Sequence, residues 1–470
     1  MRACWAERGG RWLAGAGVVL LPGGALAAVD GAAIPVAMAV PFAGVLLSIA
    51  LMPLLIGRVW HHHYGKIALG WALLLIVPFA VAFGAGEAAG LLAHVALEEY
   101  LPFLLLLLAL YTTGGGVVLR GSLSGSPGGN TALLAVGTAI ASIMGTTGAA
   151  MVMIRPVMRA NAHRRRKTHV FVFFIFLVAN VGGGLSPLGD PPLYLGFLAG
   201  VPFFWPLANL KGEVAFCAAF LLAVFYALDA WFHRREGIVR DPAPREPIRV
   251  AGGVNLVLLA AVIALVLMQG YWRPGEAVLL GTAVPLERLT AMGGFVAITL
   301  ASLALTSTAL REENGFAWGA MAEVAKLFAA IFVTMAPVLA MLRAGREGPA
   351  GGLVALLSGV DGAPIPWVYF WGSGVLSSFL DNAPTYLVFF NLAGGDPAAL
   401  TTTGAATLAA ISCGSVFMGA NSYIGNAPNF MVKAIVEESG FRMPSFFGYV
   451  GWALVFLVPP FLLVTLIFFR

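Results

Sequence analysis

The chain has 470 residues, of which 60% are hydrophobic and 10% charged, and its mean hydropathy is +0.90. This composition excludes a soluble globular protein and a disordered chain, because neither carries so much apolar surface. The net charge of +5 comes from short basic clusters between apolar runs, which is typical of membrane topology and argues against nucleic acid as a partner. Apolar runs of about 20 residues, the length that crosses a hydrocarbon core, recur along the chain. We therefore expect an all-α polytopic protein whose surroundings are the lipid bilayer.

Residues 1–28 are expected to form either a signal peptide or an uncleaved first helix. Arginines precede a short apolar run, and Ala25-Leu26-Ala27 resembles the small-residue site at which signal peptides are cut. The residues alone leave both alternatives open.

Residues 34–232 are predicted to form a first repeat of membrane spans. Basic loops at 58–66 and 163–167 mark the cytoplasmic side, and Glu87, Glu98 and Glu99 are assigned to an outer loop. The predicted segments in chain order are 34–56, 67–83, 101–119, two short arms at 131–144 and 149–158, a broken span at 168–205, and 215–232.

A re-entrant hairpin and a broken span distinguish this half from an ordinary bundle. The two short arms cannot cross the membrane, so they predict a hairpin that turns back at Thr146 and Thr147. The broken span is interrupted at 180–192 by three consecutive glycines and three prolines, which cannot continue a helix. Backbone groups freed within hydrocarbon cost several kcal/mol unless protein or a watery cavity satisfies them, so this interruption predicts a site.

The second half repeats this order. Residues 233–251 are predicted to be a basic cytoplasmic linker, and residues 252–470 a second repeat with the opposite membrane orientation. The predicted segments are 254–268, 289–309, 324–342, a hairpin at 367–392, a broken span at 401–433, and 446–469.

The two halves also match residue by residue. The interruption at 419–429 aligns with the one at 180–192, placing Asn426 on Asp190 with a shift of 236 residues. The second hairpin turns at Asp381 and Asn382, which agrees with that shift to within one residue. Inverted repeats place binding sites near the membrane midplane, where broken helices meet.

Two carboxylates, Asp381 and Asp190, lie at these interruptions within apolar segments. An ionised group there costs about 2.5 kcal/mol or more unless it is paired, hydrated or protonated. Since a proton and a bound cation can each neutralise the same carboxylate, both aspartates are candidates to exchange one for the other, with Asp381 first. The alternative is that each aspartate caps a helix, and Asp190 precedes two prolines as a typical N-cap does.

Neutral oxygen atoms near the four interruptions complete the predicted site. Na⁺ prefers oxygen ligands, and we expect it at Asp381, Asn382 and Asp190, with no cofactor besides the transported ions. The alternative for hydroxyl groups is a bond back to their own helix. The further candidates are Thr146, Thr147, Asn180, Ser186, Thr385, Asn421, Ser422, Asn426 and Asn429.

An intramembrane aspartyl protease would also use two aspartates that share a proton. Such enzymes carry Gly-X-Gly-Asp at one of them, whereas Pro187 to Asp190 lacks the first glycine and no tyrosine precedes Asp381. We therefore expect a protein that is not an enzyme.

The motifs at 145–156, 180–192, 377–385 and 419–429 resemble those of the NhaD-type sodium/proton antiporters. These belong to the ion transporter superfamily, which also contains arsenite-efflux and citrate or dicarboxylate carriers. The resemblance covers about residues 34–470. It implies an elevator-type fold with two hairpins and two broken helices, and a homodimer.

The resemblance also implies a function. Carboxylate carriers of the superfamily place Ser-Asn-Thr at both hairpin tips, whereas the second tip here is Asp381 and Asn382. An anionic tip disfavours an anionic substrate, so we expect exchange of Na⁺ (or Li⁺) for H⁺ across a bacterial inner (plasma) membrane. The alternative is a sodium-coupled carboxylate carrier, for citrate or a dicarboxylate, or an arsenite carrier.

Overall fold

The computed structural model describes residues 31–121, 123–236, 247–359 and 362–470. The predicted signal peptide or first helix at 1–28 lies outside the described residues, as do residues 237–246 of the predicted linker.

Helices make up most of the described chain. The first half contains α1 (Val40–Leu55), α2 (Gly57–Phe83), α3 (Ala85–His94), α4 (Leu101–Gly114), α5 (Pro127–Met144), α6 (Thr146–Ala160), α7 (Thr168–Leu177), α8 (Pro191–Leu198), α9 (Trp205–Asn209) and α10 (Lys211–Glu236). The second half contains α11 (Val254–Tyr271), α12 (Leu286–Leu305), α13 (Thr308–Glu313), α14 (Trp318–Arg343), α15 (Gly351–Leu356), α16 (Pro366–Phe379), α17 (Asn382–Leu392), α18 (Pro397–Thr401), α19 (Ala405–Met418), α20 (Ala427–Glu438), α21 (Phe446–Phe456) and α22 (Val458–Phe468).

Shorter elements lie between these helices. A π-helical turn, Val95–Tyr100, joins α3 to α4, and 3-10 turns occupy Gly31–Ala33, Val36–Ala39, Val181–Leu185, Gly345–Glu347 and Gly419–Asn421. Two antiparallel strand pairs lie in connecting loops: β1 (Val118–Arg120) with β2 (Arg249–Ala251), and β3 (Glu276–Leu279) with β4 (Thr282–Pro285). These short pairs leave the protein mostly helical, as composition predicts.

Nine helical segments of the described chain are long and apolar enough to cross a membrane. They differ in how much of their surface the protein covers. In the apolar stretch of Gly57–Phe83, 17% of the residues are buried, whereas in Thr168–Leu185 the share is 89%. Because an apolar helix that protein does not cover must face lipid, α2 lies at the periphery and the first broken span lies at the centre. The protein is therefore a multi-pass membrane protein.

The helices form two bundles. We call α1–α4 with α11–α14 the frame, since these helices pack mainly against one another, as α4 does against α11 and α12. We call α5–α10 with α16–α22 the core bundle, which holds both predicted hairpins and both broken spans. The bundles meet along a seam where α4 packs against α6 and α14 against α17.

Two predicted loops are helical instead. The basic residues at 58–66 lie in the first turns of α2, and Glu87, Glu98 and Glu99 lie in the helical segment Ala85–Gly114. Both helical segments are longer than the roughly 20 residues that hydrocarbon requires, so the basic start of α2 and Glu87 at the start of Ala85–Gly114 extend into the headgroup region. Glu98 and Glu99 lie near the middle of their segment. Helix α10 likewise runs to Glu236, into the predicted linker.

Candidate functional site

The two hairpins turn in different ways. In the first, α5 ends at Met144, Gly145 adopts a φ of +81°, and α6 begins at Thr146. Only glycine adopts that conformation without steric cost, which explains the residue at this tip. In the second, α16 ends at Phe379 and an extended Asp381 precedes α17. Both tips lie at the breaks of the two broken spans.

Both broken spans are held by close backbone contacts. A Cβ on Gly189 would lie 2.2 Å from the carbonyl oxygen of Gly183, and one on Gly425 would lie 2.6 Å from that of Gly419. No side chain fits at either distance, so the glycines permit the chain to fold back on itself within the bundle. The four positions are related by the same shift that aligns Asp190 with Asn426.

A pair of serines braces each hairpin against its broken span. Ser186 donates its hydroxyl to the carbonyl of Ser142, and Ser422 donates to the carbonyl of Ser378 over 2.6 Å. Each acceptor serine donates in turn to the broken span, Ser142 to the carbonyl of Gly182 and Ser378 to that of Met418. Matching bonds at matching positions mean that the two halves build this region in the same way.

Asp190 joins all four interruptions. Its Oδ1 accepts from Thr146 Oγ1 at 3.0 Å and from Asn426 Nδ2 at 3.0 Å, and its Oδ2 accepts from Asn382 Nδ2 at 2.5 Å. The backbone N–H of Thr146 also donates to the Gly189 carbonyl at 2.7 Å. Asp190 is 1% exposed, and its side chain forms no hydrogen bond with its own helix. Both hairpin tips and both breaks therefore meet at one carboxylate.

The prolines explain why Asp190 does not cap a helix with its side chain. It stands at the N-cap of α8, where a capping carboxylate accepts from the second or third backbone N–H of the helix. Pro192 at the second position has no N–H, and the N–H of Leu193 at the third donates to the backbone carbonyl of Asp190 at 3.1 Å. Its carboxylate is thus left to face the hairpin tips. The capping alternative is wrong for the side chain of Asp190, which occupies the N-cap position alone.

Asp381 does cap its helix. Its Oδ1 accepts from the backbone N–H of Ala383 at 3.0 Å, and it is more accessible than Asp190. Next to it, Asn382 is fully buried, and its Oδ1 has no partner among the described residues. An unpaired buried oxygen costs free energy, so this atom is available to a cation or a water molecule.

The two aspartates line one cavity of about 80 Å³ in the seam between the bundles. The core bundle contributes Thr146, Thr147, Asp190, Asp381 and Asn426 to its wall. The frame contributes an apolar wall that includes Leu106, Leu107, Leu110, Tyr111, Met321, Val324 and Phe328. No Lys, Arg or His lines this cavity, and none of those in the described ranges is ion-paired with either aspartate.

Other predicted site residues support the cavity from behind. Asn180 donates to Asn429 Oδ1 at 2.7 Å and accepts from Asn426 at 3.2 Å, which links the two broken spans. Thr385 bonds back to the carbonyl of Asp381 at 3.0 Å. Those that do not line the cavity are Asn180, Ser186, Asn382, Thr385, Asn421, Ser422 and Asn429.

A third buried carboxylate in an apolar span is absent from the sequence-based prediction. Asp229 in α10 is fully buried, but it accepts from Arg164 at 2.5 Å and from His169 at 2.8 Å. The prediction that Asp190 and Asp381 are the carboxylates of the membrane segments was therefore incomplete. The sequence signal that could have indicated this ion pair is the basic cluster at 163–167, which supplies Arg164.

Most helix ends at this cavity are N-termini, with the last residue of α5, Met144, as the exception. Its wall includes the first turns of α6, α8 and α20, which begin at Thr146, Pro191 and Ala427. Helix N-termini carry partial positive charge, which stabilises a negative charge such as that of Asp190 or of a bound anion.

Comparison with known families gives one match. A family model with the description "Putative citrate transport" matches residues 31–469, which include both hairpins and both broken spans. No curated protein matches the sequence.

Proposed function

We propose that this chain, which belongs to the family described as "Putative citrate transport", is a secondary transporter that exchanges Na⁺ (or Li⁺) for H⁺ at the cavity around Asp190. Membership of a transport family and the multi-pass architecture support a transporter and not an enzyme. The identity of the two exchanged ions, Na⁺ (or Li⁺) and H⁺, is what we add to the family description.

One observation carries this proposal: two carboxylates face a small cavity whose wall contains no basic side chain. An ionised carboxylate in such surroundings is costly, and removing the cost requires a cation or a proton. Na⁺ from one side of the membrane and H⁺ from the other would each neutralise the carboxylate of Asp190, but the two ions cannot do so at the same time. Competition for one group is the physical basis of exchange.

We assign Asp190 the principal role and Asp381 the second. Asp190 has no bond to its own helix, whereas one oxygen of Asp381 caps α17. We propose that Na⁺ binds oxygen atoms of Asp190 and Asp381, which line the cavity, and the unpaired Oδ1 of Asn382, whose Nδ2 donates to Asp190. Oxygen ligands of this kind are those that Na⁺ prefers. This order reverses the one that the sequence suggests.

Exchange requires the cavity to open alternately to each side. We propose that the two halves are inverted repeats and that the core bundle moves as a unit along the frame, as in elevator transporters. The matching serine braces support the repeat. The leucine, valine and phenylalanine side chains of the frame wall support the movement, because they have no polar atoms with which to hydrogen-bond across the seam.

A second candidate is a sodium-coupled carrier of citrate or a related carboxylate. The family description and the helix N-termini at the cavity favour it. In this case Na⁺ at the aspartates would offset their repulsion of the substrate. A cavity of about 80 Å³ would have to widen, since it is smaller than the roughly 300–1,000 Å³ of typical small-molecule sites.

Transport by the purified protein separates these candidates. In proteoliposomes with an internal pH dye and an imposed proton gradient, external Na⁺ or Li⁺ alone should dissipate the gradient, and K⁺ or choline should not. Radiolabelled citrate should not accumulate. If citrate enters when Na⁺ is present, and Na⁺ alone leaves the gradient unchanged, the second candidate replaces the first.

A further inference from the structure

A second polar cavity lies in the same seam, at the outer ends of the helices. It has a volume of about 190 Å³ and is lined by the last residue of α14, Arg343, and by Asn391 near the end of α17. Arg288 near the start of α12 and Leu198 at the end of α8 complete its rim. We call it the outer vestibule, because these helix ends lie on the side away from the basic loop at 163–167.

The π-helical turn Val95–Tyr100 places two glutamates in the outer vestibule. Glu98 forms an ion pair with Arg288, but its Oε1 is buried and has no partner in the described chain. Glu99 has no ion pair there, and its Oε2 is also buried without a partner. A buried carboxylate oxygen without a donor is stabilised by a proton or by water. Turns of π-helix occur frequently at functional sites.

The charges that face Glu99 come from three helical segments. Arg343 lies on α14, Arg288 on α12, and His94 and Glu98 on the segment that carries Glu99 itself. Arg288 is paired with Glu98, and Arg343 donates Nε to Asn391 Oδ1 at 2.7 Å. From α8 and α17 the vestibule receives no titratable group. Neither arginine forms an ion pair with Glu99, which is therefore the carboxylate of the outer vestibule that lacks an ion pair among the described residues.

Three phenylalanines separate the outer vestibule from the cavity around Asp190 and Asp381, which we call the central cavity. Phe103 stacks on Phe328 with ring centroids 4.9 Å apart and meets Phe332 edge-on at 5.5 Å. Phe332 lines the vestibule and Phe328 lines the central cavity, so these rings occupy the boundary between them. Glu99, Phe103 and Leu107 follow one another at helical spacing along α4 and the preceding turn, so Glu99 lies about two helix turns, roughly 12 Å, from the Leu107 wall of the central cavity.

We propose that Glu99 is a second proton-carrying residue, which takes up H⁺ from the outer solution. Opening of the phenylalanine barrier would let that proton pass through water to the carboxylate of Asp190 as Na⁺ leaves it. The step moves one proton from one carboxyl group to another, and the departing Na⁺ balances the charge. This inference rests on the proposed exchange of Na⁺ for H⁺.

The test compares two kinds of flux in Glu99→Gln. Na⁺-driven H⁺ flux should fall about tenfold or more, because the amide cannot carry a proton. Counterflow of ²²Na⁺ against Na⁺, which needs no proton, should keep its wild-type rate. Glu99→Asp should restore H⁺ flux, and Glu87→Gln, on the same helical segment but outside the vestibule, should leave both fluxes unchanged.

Two results would overturn the inference: wild-type H⁺ flux in Glu99→Gln, or an equal loss of counterflow, which indicates a structural role. A wild-type protein without Na⁺-driven H⁺ flux would instead overturn the proposed function, and this inference with it.

A second measurement applies if Glu99→Gln does not fold. In a background with the three native cysteines replaced, Leu198→Cys should react with an impermeant thiol reagent added outside, and Leu107→Cys should be protected. An unreactive Leu198→Cys would contradict the outer vestibule.

Discussion

Asp190→Asn is expected to abolish Na⁺-driven H⁺ flux, reducing it by about 10²-fold or more, to the level of empty liposomes. The amide has the same shape, but it can neither carry a proton nor neutralise a cation. Asp190 is also the residue at which both hairpin tips and both breaks meet, so no neighbouring carboxylate accepts the same three side-chain donors. The measurement is flux in proteoliposomes at matched protein density.

Two variants serve as controls for Asp190→Asn. Asp396→Asn removes an exposed carboxylate that caps α18 and should transport normally. Asp381→Asn compares the two cavity aspartates directly. If Asp190→Asn transports at the wild-type rate and Asp381→Asn does not, the proton site is Asp381, as the sequence alone predicts.

Asp229→Ala is expected to destabilise the protein by about 3–5 kcal/mol. Asp229 accepts from Arg164, His169 and Asn130, all of them buried. These partners come from the loop after α6, from α7 and from α5, so Asp229 fixes the feet of the first hairpin against α10. Among the described residues, its removal leaves the buried guanidinium of Arg164 with Glu236, 3.3 Å away, as its one acidic partner.

Thermal unfolding in detergent measures this loss. The control is Glu437→Gln, which breaks the exposed pair with Lys433 one helix turn away, a pair worth about 0.3–0.5 kcal/mol. If Asp229→Ala unfolds at the same temperature as Glu437→Gln, the network does not anchor the hairpin.

The sequence predicts the outline of the fold because membrane helices leave a strong local signal. Runs of apolar residues locate the spans, and the prolines and glycines at 180–192 and 419–429 locate the breaks. The ends of helices are less predictable. The charged residues at 58–66, which the sequence predicts to form a loop, lie in a helix that extends beyond the hydrocarbon core of the membrane.

The candidate site is only partly predictable for a different reason. Residue type and position identify Asp190 and Asn382 as polar groups at interruptions. They do not reveal that the two side chains, 192 residues apart in the sequence, form a hydrogen bond. The same limit applies to Asn180 and Asn429, which do not line the cavity around Asp190 and instead join the broken spans to each other. Whether a polar residue faces a cavity or braces a neighbour depends on tertiary packing, which local patterns do not contain.

The same reasoning explains the order of the two aspartates. From sequence, Asp190 before two prolines is typical of a helix cap, and Asp381 at a hairpin tip is the better ion ligand. In the structure Pro192 offers no N–H to the side chain of Asp190 and Leu193 donates to its backbone carbonyl, whereas the side chain of Asp381 accepts from Ala383. The side chain that caps a helix is thus that of Asp381 and not that of Asp190, which is why we propose Asp190 as the principal ion ligand.

Proton release on Na⁺ binding tests most directly whether one carboxylate serves both ions. Purified protein in a weakly buffered detergent solution with a pH indicator should release protons when NaCl is added, approaching about one per chain, and none when choline chloride is added. Asp190→Asn should release none. Sodium binding without proton release, or release that persists unchanged in Asp190→Asn, would contradict exchange of Na⁺ for H⁺ at Asp190.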